Sequence, residues 1–229
     1  MKHLYGPVPS RRLGLSLGVD IIPFKTCTTS CIYCQLGNAP ETTLIRKEYI
    51  SAQEITGEIQ EFLKSGVHLD WITFSGSGEP TLNSGIGKII DGIKKISNIP
   101  VSVITNGTLL WLPEVRDDIL NADAVMPTLN TAVNETFCKI CRPATGLTVE
   151  KIIGGLIEFR KYFRGKIWLE ILLVDGINDT EPELKALYNA VEKINPDSIQ
   201  LNTVARPPGR NVYNKITGLQ YGGNNGERG

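Results

Sequence analysis

Residues 71–107, WITFSGSGEPTLNSGIGKIIDGIKKISNIPVSVITNG, contain one complete unit of the fold. Residues 71–76 are a short apolar, β-rich run broken by glycine, which reads as a strand entering a loop. Within residues 86–96, Ile89, Ile90, Ile93 and Ile96 recur at helical spacing and predict one apolar face. Residues 100–107 return to a β-rich run that stops at Gly107. Strand, helix and strand in that order form a βαβ unit, in which the helix carries the chain back so that the strands run parallel.

The same alternation extends to both sides. Upstream, residues 17–24 (LGVDIIPF) read as a strand. Residues 51–66 read as a helix with Ser51 as N-cap, Glu54 three positions later, and Ile55, Ile59, Phe62 and Leu63 as its apolar face. Downstream come a short helix at 113–120 opened by Pro113, a strand at 122–130, a long helix at 148–163, and a strand at 166–174. A helix at 181–194 with an acidic start and a strand at 198–204 complete the series. Six βα repeats with apolar strands predict an α/β fold with a parallel sheet under helices. Six falls short of the eight of a closed barrel, so the expected architecture is a partial (βα)6 TIM-like barrel. Its core is expected over residues 17–205, with residues 1–16 as an N-terminal extension and the glycine-rich, polar 206–229 as a partly mobile tail.

In such folds, chemistry gathers at the C-terminal ends of the strands. The loop after the first strand holds CTTSCIYC, with Cys27, Cys31 and Cys34 inside eight residues. One short loop can therefore wrap three thiols around one inorganic centre. An iron–sulfur cubane takes four ligands, so three cysteines leave one iron open to substrate. The spacing differs from the paired CxxC of structural zinc sites. After the second strand comes SGSGEP at residues 75–80, where Gly76 and Gly78 let backbone approach a ligand closely. After the third comes Thr105–Asn106, and LNT lies in the sixth.

The CxxxCxxC spacing, with Tyr33 before the last cysteine, together with SGSGEP, resembles the radical S-adenosylmethionine (SAM) superfamily. Residues 5–20 and 201–208 (YGPVPSRRLGLSLGVD and LNTVARPP) resemble a small subgroup related to the wyosine-type tRNA-modifying enzymes. The resemblance implies a [4Fe–4S] cluster on Cys27, Cys31 and Cys34, with SAM bound at its open iron. It implies reductive cleavage of SAM to methionine and a 5′-deoxyadenosyl radical, which abstracts hydrogen from an unspecified substrate. Tyr33 and the segment Ser75, Gly76, Ser77, Gly78, Glu79 are then cofactor-binding, with main-chain carbonyls accepting from the SAM ammonium and Glu79 adding negative charge nearby. Thr105 and Asn106 match positions near the SAM carboxylate or ribose, or serve as a capping turn. Asn130, in TLNT, stands where relatives carry an acidic SLDA-like segment. Arg142 either pairs with the SAM carboxylate or is a surface arginine. Glu170, a charge within a strand, either reaches the ribose or pairs with a basic residue inside the barrel.

Cys138 and Cys141 form a second CxxC at i,i+3 and are expected to share one helix face as inert thiols. Two ligands cannot close an auxiliary cluster site, and no cysteine precedes Cys27. His3 and His68 read as structural or exposed, and Lys25 as structural.

The bulk properties set limits. The chain has 229 residues, 41% hydrophobic and 21% charged, with 24 basic and 24 acidic side chains. Zero net charge gives no broad nucleic-acid footprint, although Lys2, Arg11 and Arg12 lie close together in sequence. Residues 1–20 lack a continuous apolar run and no stretch of 18 apolar residues occurs, so neither a secretory signal nor a membrane helix is expected. Five cysteines, three of them in one loop, fit a reducing cytoplasm better than a disulfide framework. The partners expected are SAM, a reductant such as flavodoxin or ferredoxin, and a substrate that is RNA, another nucleotide-containing molecule, or a protein receiving a radical. The non-enzymatic alternative is an iron–sulfur electron carrier, against which SGSGEP argues.

Overall fold

The computed structural model describes residues 1–10 and 12–203. Among the described residues, seven strands form one sheet in sequence order: β1 (Leu4–Ser10), β2 (Gly14–Val19), β3 (Trp71–Phe74), β4 (Val101–Thr105), β5 (Ala124–Pro127), β6 (Lys166–Leu173) and β7 (Ser198–Thr203). From β2 to β7 every pairing is parallel, and β1 is antiparallel to β2. The helices α1 (Ala52–Leu63), α2 (Ile86–Ile96), α3 (Pro113–Asp118), α4 (Asn134–Cys141), α5 (Val149–Tyr162) and α6 (Glu181–Ile194) occupy the connections. This is the partial barrel expected from the repeats.

The sheet curls. Trp71 on β3 and Trp168 on β6 meet edge to face with ring centroids 5.6 Å apart. Two strands lie between them, and a flat sheet with strands about 4.8 Å apart would hold the rings out of reach. Helices cover the convex side: Ile55, Ile59 and Phe62 of α1 and Ile86, Ile89, Ile90 and Ile93 of α2 are all buried. Ile96, expected on that face, is 39% exposed, because it closes the last turn of α2 as the chain swings away. Ser51 caps α1 as expected, its hydroxyl accepting from the Glu54 N–H at 3.2 Å. No helix among the described residues is long and apolar enough to cross a membrane.

The N-terminal part departs from expectation. The first parallel strand is β2, over Gly14–Val19 rather than residues 17–24, and an additional strand, β1, precedes it. Residues 1–16, expected as an extension, thus contribute to the sheet. Pro7 and Pro9 mask β1 in the sequence, but an edge strand tolerates proline, and the pairing is bulged between Tyr5 and Val8. Val204, the expected end of the last strand, and the tail 206–229 lie outside the described residues.

Candidate active site

The chain leaves β2 at Val19 and regains regular structure only at Ala52. The intervening loop is fixed by main-chain bonds to its surroundings. Thr43 N–H donates to Cys27 C=O at 3.0 Å, Ile32 N–H to Ile140 C=O at 2.9 Å, and Ala144 N–H to Thr28 C=O at 2.8 Å. Within the loop, Cys34 N–H donates to Cys31 C=O at 3.1 Å and Gly37 N–H to Cys34 C=O at 3.0 Å. These turns bring Cys27, Cys31 and Cys34 to one cavity of about 430 Å³, bordered also by Tyr33 and Gly76–Gly78. That volume lies within the roughly 300–1,000 Å³ of small-molecule sites. The cavity lies beyond the C-terminal ends of the strands, with Leu172 of β6 and Thr203 of β7 on its wall. Three convergent thiols beside a backbone-rich wall suit a thiophilic metal cluster with an organic ligand next to it.

The two glycines have identifiable reasons. A Cβ on Gly78 would lie 1.9 Å from the Thr26 carbonyl oxygen, so only glycine lets this turn pass the start of the cysteine loop. Lys25 N–H donates to Ser77 C=O at 2.6 Å and Glu79 N–H to Thr26 C=O at 3.0 Å, locking the two loops together. Gly76 has φ +136°, where side chains are rarely accommodated, and a Cβ there would meet the Asp20 carboxylate. Asp20 in turn accepts from the Ser77 N–H at 3.0 Å.

The polar residues expected around the cofactor divide into those bordering the cavity and those behind it. Tyr33, Gly76, Ser77 and Gly78 border it. Glu79 does not: it is buried, and its carboxylate accepts from Thr81 N–H and Oγ1, Thr105 Oγ1 and Asn106 N–H at 2.6–3.1 Å. Burial raises its carboxyl, while these donors oppose the shift. Thr105 is thus held by Glu79 and accepts in turn from the Gly107 N–H at 3.0 Å. Asn106 reaches the cysteine loop itself, its Nδ2 donating to Thr28 Oγ1 at 2.8 Å and lying 3.5 Å from Cys27 Sγ. Asn130 donates from Nδ2 to the Tyr33 hydroxyl at 2.7 Å and accepts at Oδ1 from Leu172 N–H at 2.8 Å.

Three expected residues lie elsewhere. Ser75 pairs with the Tyr5 hydroxyl and borders a second cavity of about 140 Å³ on the concave face of the sheet, with Ser16, Gly18 and Thr73. Glu170 pairs with Arg12 across the barrel. Arg142 is half-buried, ends α4 in the left-handed conformation at φ 45°, and makes no ion pair among the described residues.

Cys138 and Cys141 stand at i,i+3 within α4 but differ in burial: Cys138 is exposed, and Cys141, at the end of the helix against the cysteine loop, is buried. There it borders a small pocket with Cys31 and Tyr33. The Cys141 contact, against burial, holds the Cys31 thiol down at about 7, whereas burial carries Cys27 up to about 11 and also raises Cys34. Burial, with the Cys31 and Cys141 charges behind it, pushes the Tyr33 phenol upward.

Some residues of the site gave little sequence signal. Thr28 and Thr29 sit within the CTTSC string and could have been singled out there. Asp20 and Asn178 could not, being single polar residues after strands. Asn178 is buried and ties the strand ends together, donating from Nδ2 to Asn130 C=O at 2.7 Å and Leu172 C=O at 2.9 Å.

Comparison with known proteins agrees with this arrangement. A protein of Brachyspira hyodysenteriae named GTPase Obg is 47% identical over 205 residues, covering 90% of this chain and 30% of that protein. A UPF0026 protein of Methanocaldococcus jannaschii is 36% identical over 210 residues, covering 91% of this chain and 65% of the relative. The chain thus spans less than two thirds of the length of either. Among solved structures, TYW1 with a lysine–pyruvate adduct bound superposes with a TM-score of 0.61 at 17% identity, covering 82% of this chain and 64% of that one, a likeness of fold. The family model described as the radical SAM superfamily matches residues 21–187, a span that includes the cysteine loop, the glycine segment and the strand ends around them, and the chain belongs to that superfamily.

Proposed function

We propose that the chain is a radical SAM enzyme that holds one [4Fe–4S] cluster on Cys27, Cys31 and Cys34 and binds SAM beside it. The observation that carries this reading is the shared cavity: the three thiols and the Gly76–Gly78 backbone border the same 430 Å³ space. A cluster held by the three cysteines would supply one-electron reduction of SAM, the chemistry that starts hydrogen abstraction from a substrate. The protein's own residues bind and orient. Gly76 and Ser77 offer main-chain groups to the SAM ammonium at a wall that only a glycine backbone can form. Glu79, Thr105 and Asn106 support that wall from behind, and Asn130 sets the Tyr33 ring through its hydroxyl. Arg142, with no ion-pair partner among the described residues, stays a candidate for an anionic group. A flavodoxin or ferredoxin is the expected reductant.

The test is anaerobic reconstitution with iron and sulfide, reduction with dithionite, addition of SAM, and chromatography for 5′-deoxyadenosine. Product from the wild type and none from Cys31→Ala is expected. A wild type that binds neither iron nor SAM would overturn the reading, and one that holds a reducible cluster without binding SAM would make it an electron carrier.

For the substrate, the narrower reading is a tRNA or other nucleotide-containing molecule. What favours it is that Tyr5, Ser16 and Gly18, from the stretch that resembles the wyosine-type group, border the concave-face cavity. Retardation of bulk tRNA in a gel is the expected result. Co-purification of a larger protein with no tRNA shift would favour a protein-radical activase instead.

A further inference from the structure

Asn106 directly follows β4, and three separate contacts fix its side chain behind the cysteine loop. Its own N–H donates to the Glu79 carboxylate at 2.7 Å. Its Oδ1 accepts from the Thr108 N–H at 3.0 Å and from Thr108 Oγ1 at 2.7 Å. A backbone N–H only donates, so the amide atom facing it is the oxygen, and the orientation of the Asn106 amide follows from the network. Nδ2 is thereby turned toward the loop with its two hydrogens. One has Thr28 Oγ1 at 2.8 Å. The other is left to Cys27 Sγ at 3.5 Å and Thr29 Oγ1 at 3.4 Å.

The surroundings are closed to water. Thr28, Thr29 and Thr108 are buried, and the hydroxyls of Thr28 and Thr108 lie 2.6 Å apart. Asn106 borders an enclosed pocket of about 20 Å³ with Thr29 and Cys31, and not the 430 Å³ cavity. It therefore reaches Cys27 from behind the loop rather than from the space assigned to SAM. Thr29 Oγ1 lies 3.6 Å from Cys27 Sγ and 3.3 Å from Cys31 Sγ, so the same small group of side chains touches two of the three cysteines.

We propose that Asn106 is a positioning residue for the cluster: its Nδ2–H donates to the Cys27 sulfur and raises the reduction potential of the bound cluster. The polarity of the contact is fixed by chemistry, since an amide N–H donates and a ligating thiolate, which carries no hydrogen, accepts. A hydrogen bond to a ligand sulfur withdraws electron density, and the reduced, more negative cluster gains most from that. Exclusion of water keeps the interaction from being diluted. The proposal rests on the cluster reading given above, and the experiment separates the two.

Iron and sulfide content of the reconstituted full chain comes first. A wild type that takes up no cluster would overturn the cluster reading and this proposal with it. In a loaded wild type carrying nitrogen-15 only in its asparagine side-chain amides, pulsed electron paramagnetic resonance of the dithionite-reduced cluster should show a weakly coupled nitrogen, lost in Asn106→Ala. A reduced cluster without that coupling would overturn the proposal and leave the cluster reading standing. Redox titration then compares midpoint potentials. At the wild-type midpoint, the ratio of reduced to oxidised cluster is expected to be several-fold lower in Asn106→Ala. Thr108→Val removes a hydroxyl from the same network but keeps both Nδ2 hydrogens and the Thr108 N–H that orients them. It should lose stability and keep the wild-type potential. Equal potentials in wild type and Asn106→Ala, or an equal fall in Thr108→Val, would make Asn106 a structural tie only and overturn the proposal. Should Asn106→Ala hold no cluster, the nitrogen coupling in the wild type decides by itself.

Discussion

The two ends of the sheet are tied off by different chemistry. At the N-terminal ends, Asp70, Asp123 and Asp197 each stand just before a strand and accept a backbone N–H near the start of its neighbour. Leu15 donates at 2.7 Å, Val101 at 2.7 Å and Ile167 at 2.9 Å. Each carboxylate also meets a basic side chain: His68, Lys94, and both Arg160 and Lys166. At the C-terminal ends most ties are neutral asparagine and threonine side chains, many of them gathered around the buried carboxylate of Glu79. The aspartate clamps are separate, partly exposed and screened by water, so losing one leaves the others intact. The network at the other end is buried and shared, so each member supports several others. One end of the barrel is built to tolerate change and the other to hold a fixed geometry around the cysteine loop.

This contrast can be broken at graded points. The largest effect is expected from Gly78→Ala, whose methyl group would overlap the Thr26 carbonyl oxygen at 1.9 Å, a backbone atom that cannot swing aside. Iron content after reconstitution should drop to near the level of Cys31→Ala, and urea unfolding should show a loss of about 3 kcal/mol, the upper range for overpacking. A fully loaded, stable variant would mean that the two loops are not locked together.

Glu79→Ala comes next. It strands the N–H groups of Thr81 and Asn106 and the hydroxyls of Thr81 and Thr105, and one buried unsatisfied donor costs about 1–3 kcal/mol. Stability and cluster retention should fall together in this variant, although Glu79 does not border the cavity. Asn106→Ala removes the link from the end of β4 to Thr28. Its effect should be about 1 kcal/mol on unfolding, the size of one net hydrogen bond, with a several-fold faster loss of iron to a chelator.

The smallest effect is expected from the other end. Asp197→Ala should cost about 1 kcal/mol, as a partly exposed hydrogen-bonded pair does, and leave iron content unchanged. Burial acts to raise the Asp197 carboxyl, but Ile167 N–H, Lys166 and Arg160 outweigh it and hold it below the usual carboxylate range. A carboxyl lowered in the folded state stabilises the protein fully at pH values above the unfolded pKa and loses that effect as pH falls through the lowered value. The difference between wild type and Asp197→Ala should therefore be constant near neutrality and shrink in acid. A difference that grew in acid would contradict the assignment.

The sequence was legible where the signal is local. The helix of residues 181–194 was placed at its true ends because its acidic start and apolar spacing lie within the helix itself. The cysteine loop and SGSGEP were legible because each is a short, closely spaced string within one loop, and the two border one cavity. β1 was missed because Pro7 and Pro9 remove the ordinary strand signal, and only pairing with β2 makes the segment a strand. Glu79, expected to face a ligand, turns inward because Thr105 and Asn106, 26 and 27 residues further on, offer it donors.

By itself, then, the sequence determined the βα alternation, the parallel sheet that follows from it, and the three thiols with their glycine partner, since periodicity and short spacing act within one turn or one loop. Only the tertiary structure decided which distant side chains meet. It brought Arg12 across to Glu170, placed Asn106 behind Cys27, and tied the Cys141 carbonyl to Ser30 of the cysteine loop. Such contacts depend on how strongly the sheet curls and where α4 stops, and those follow from the packing of the whole chain, which no local pattern encodes.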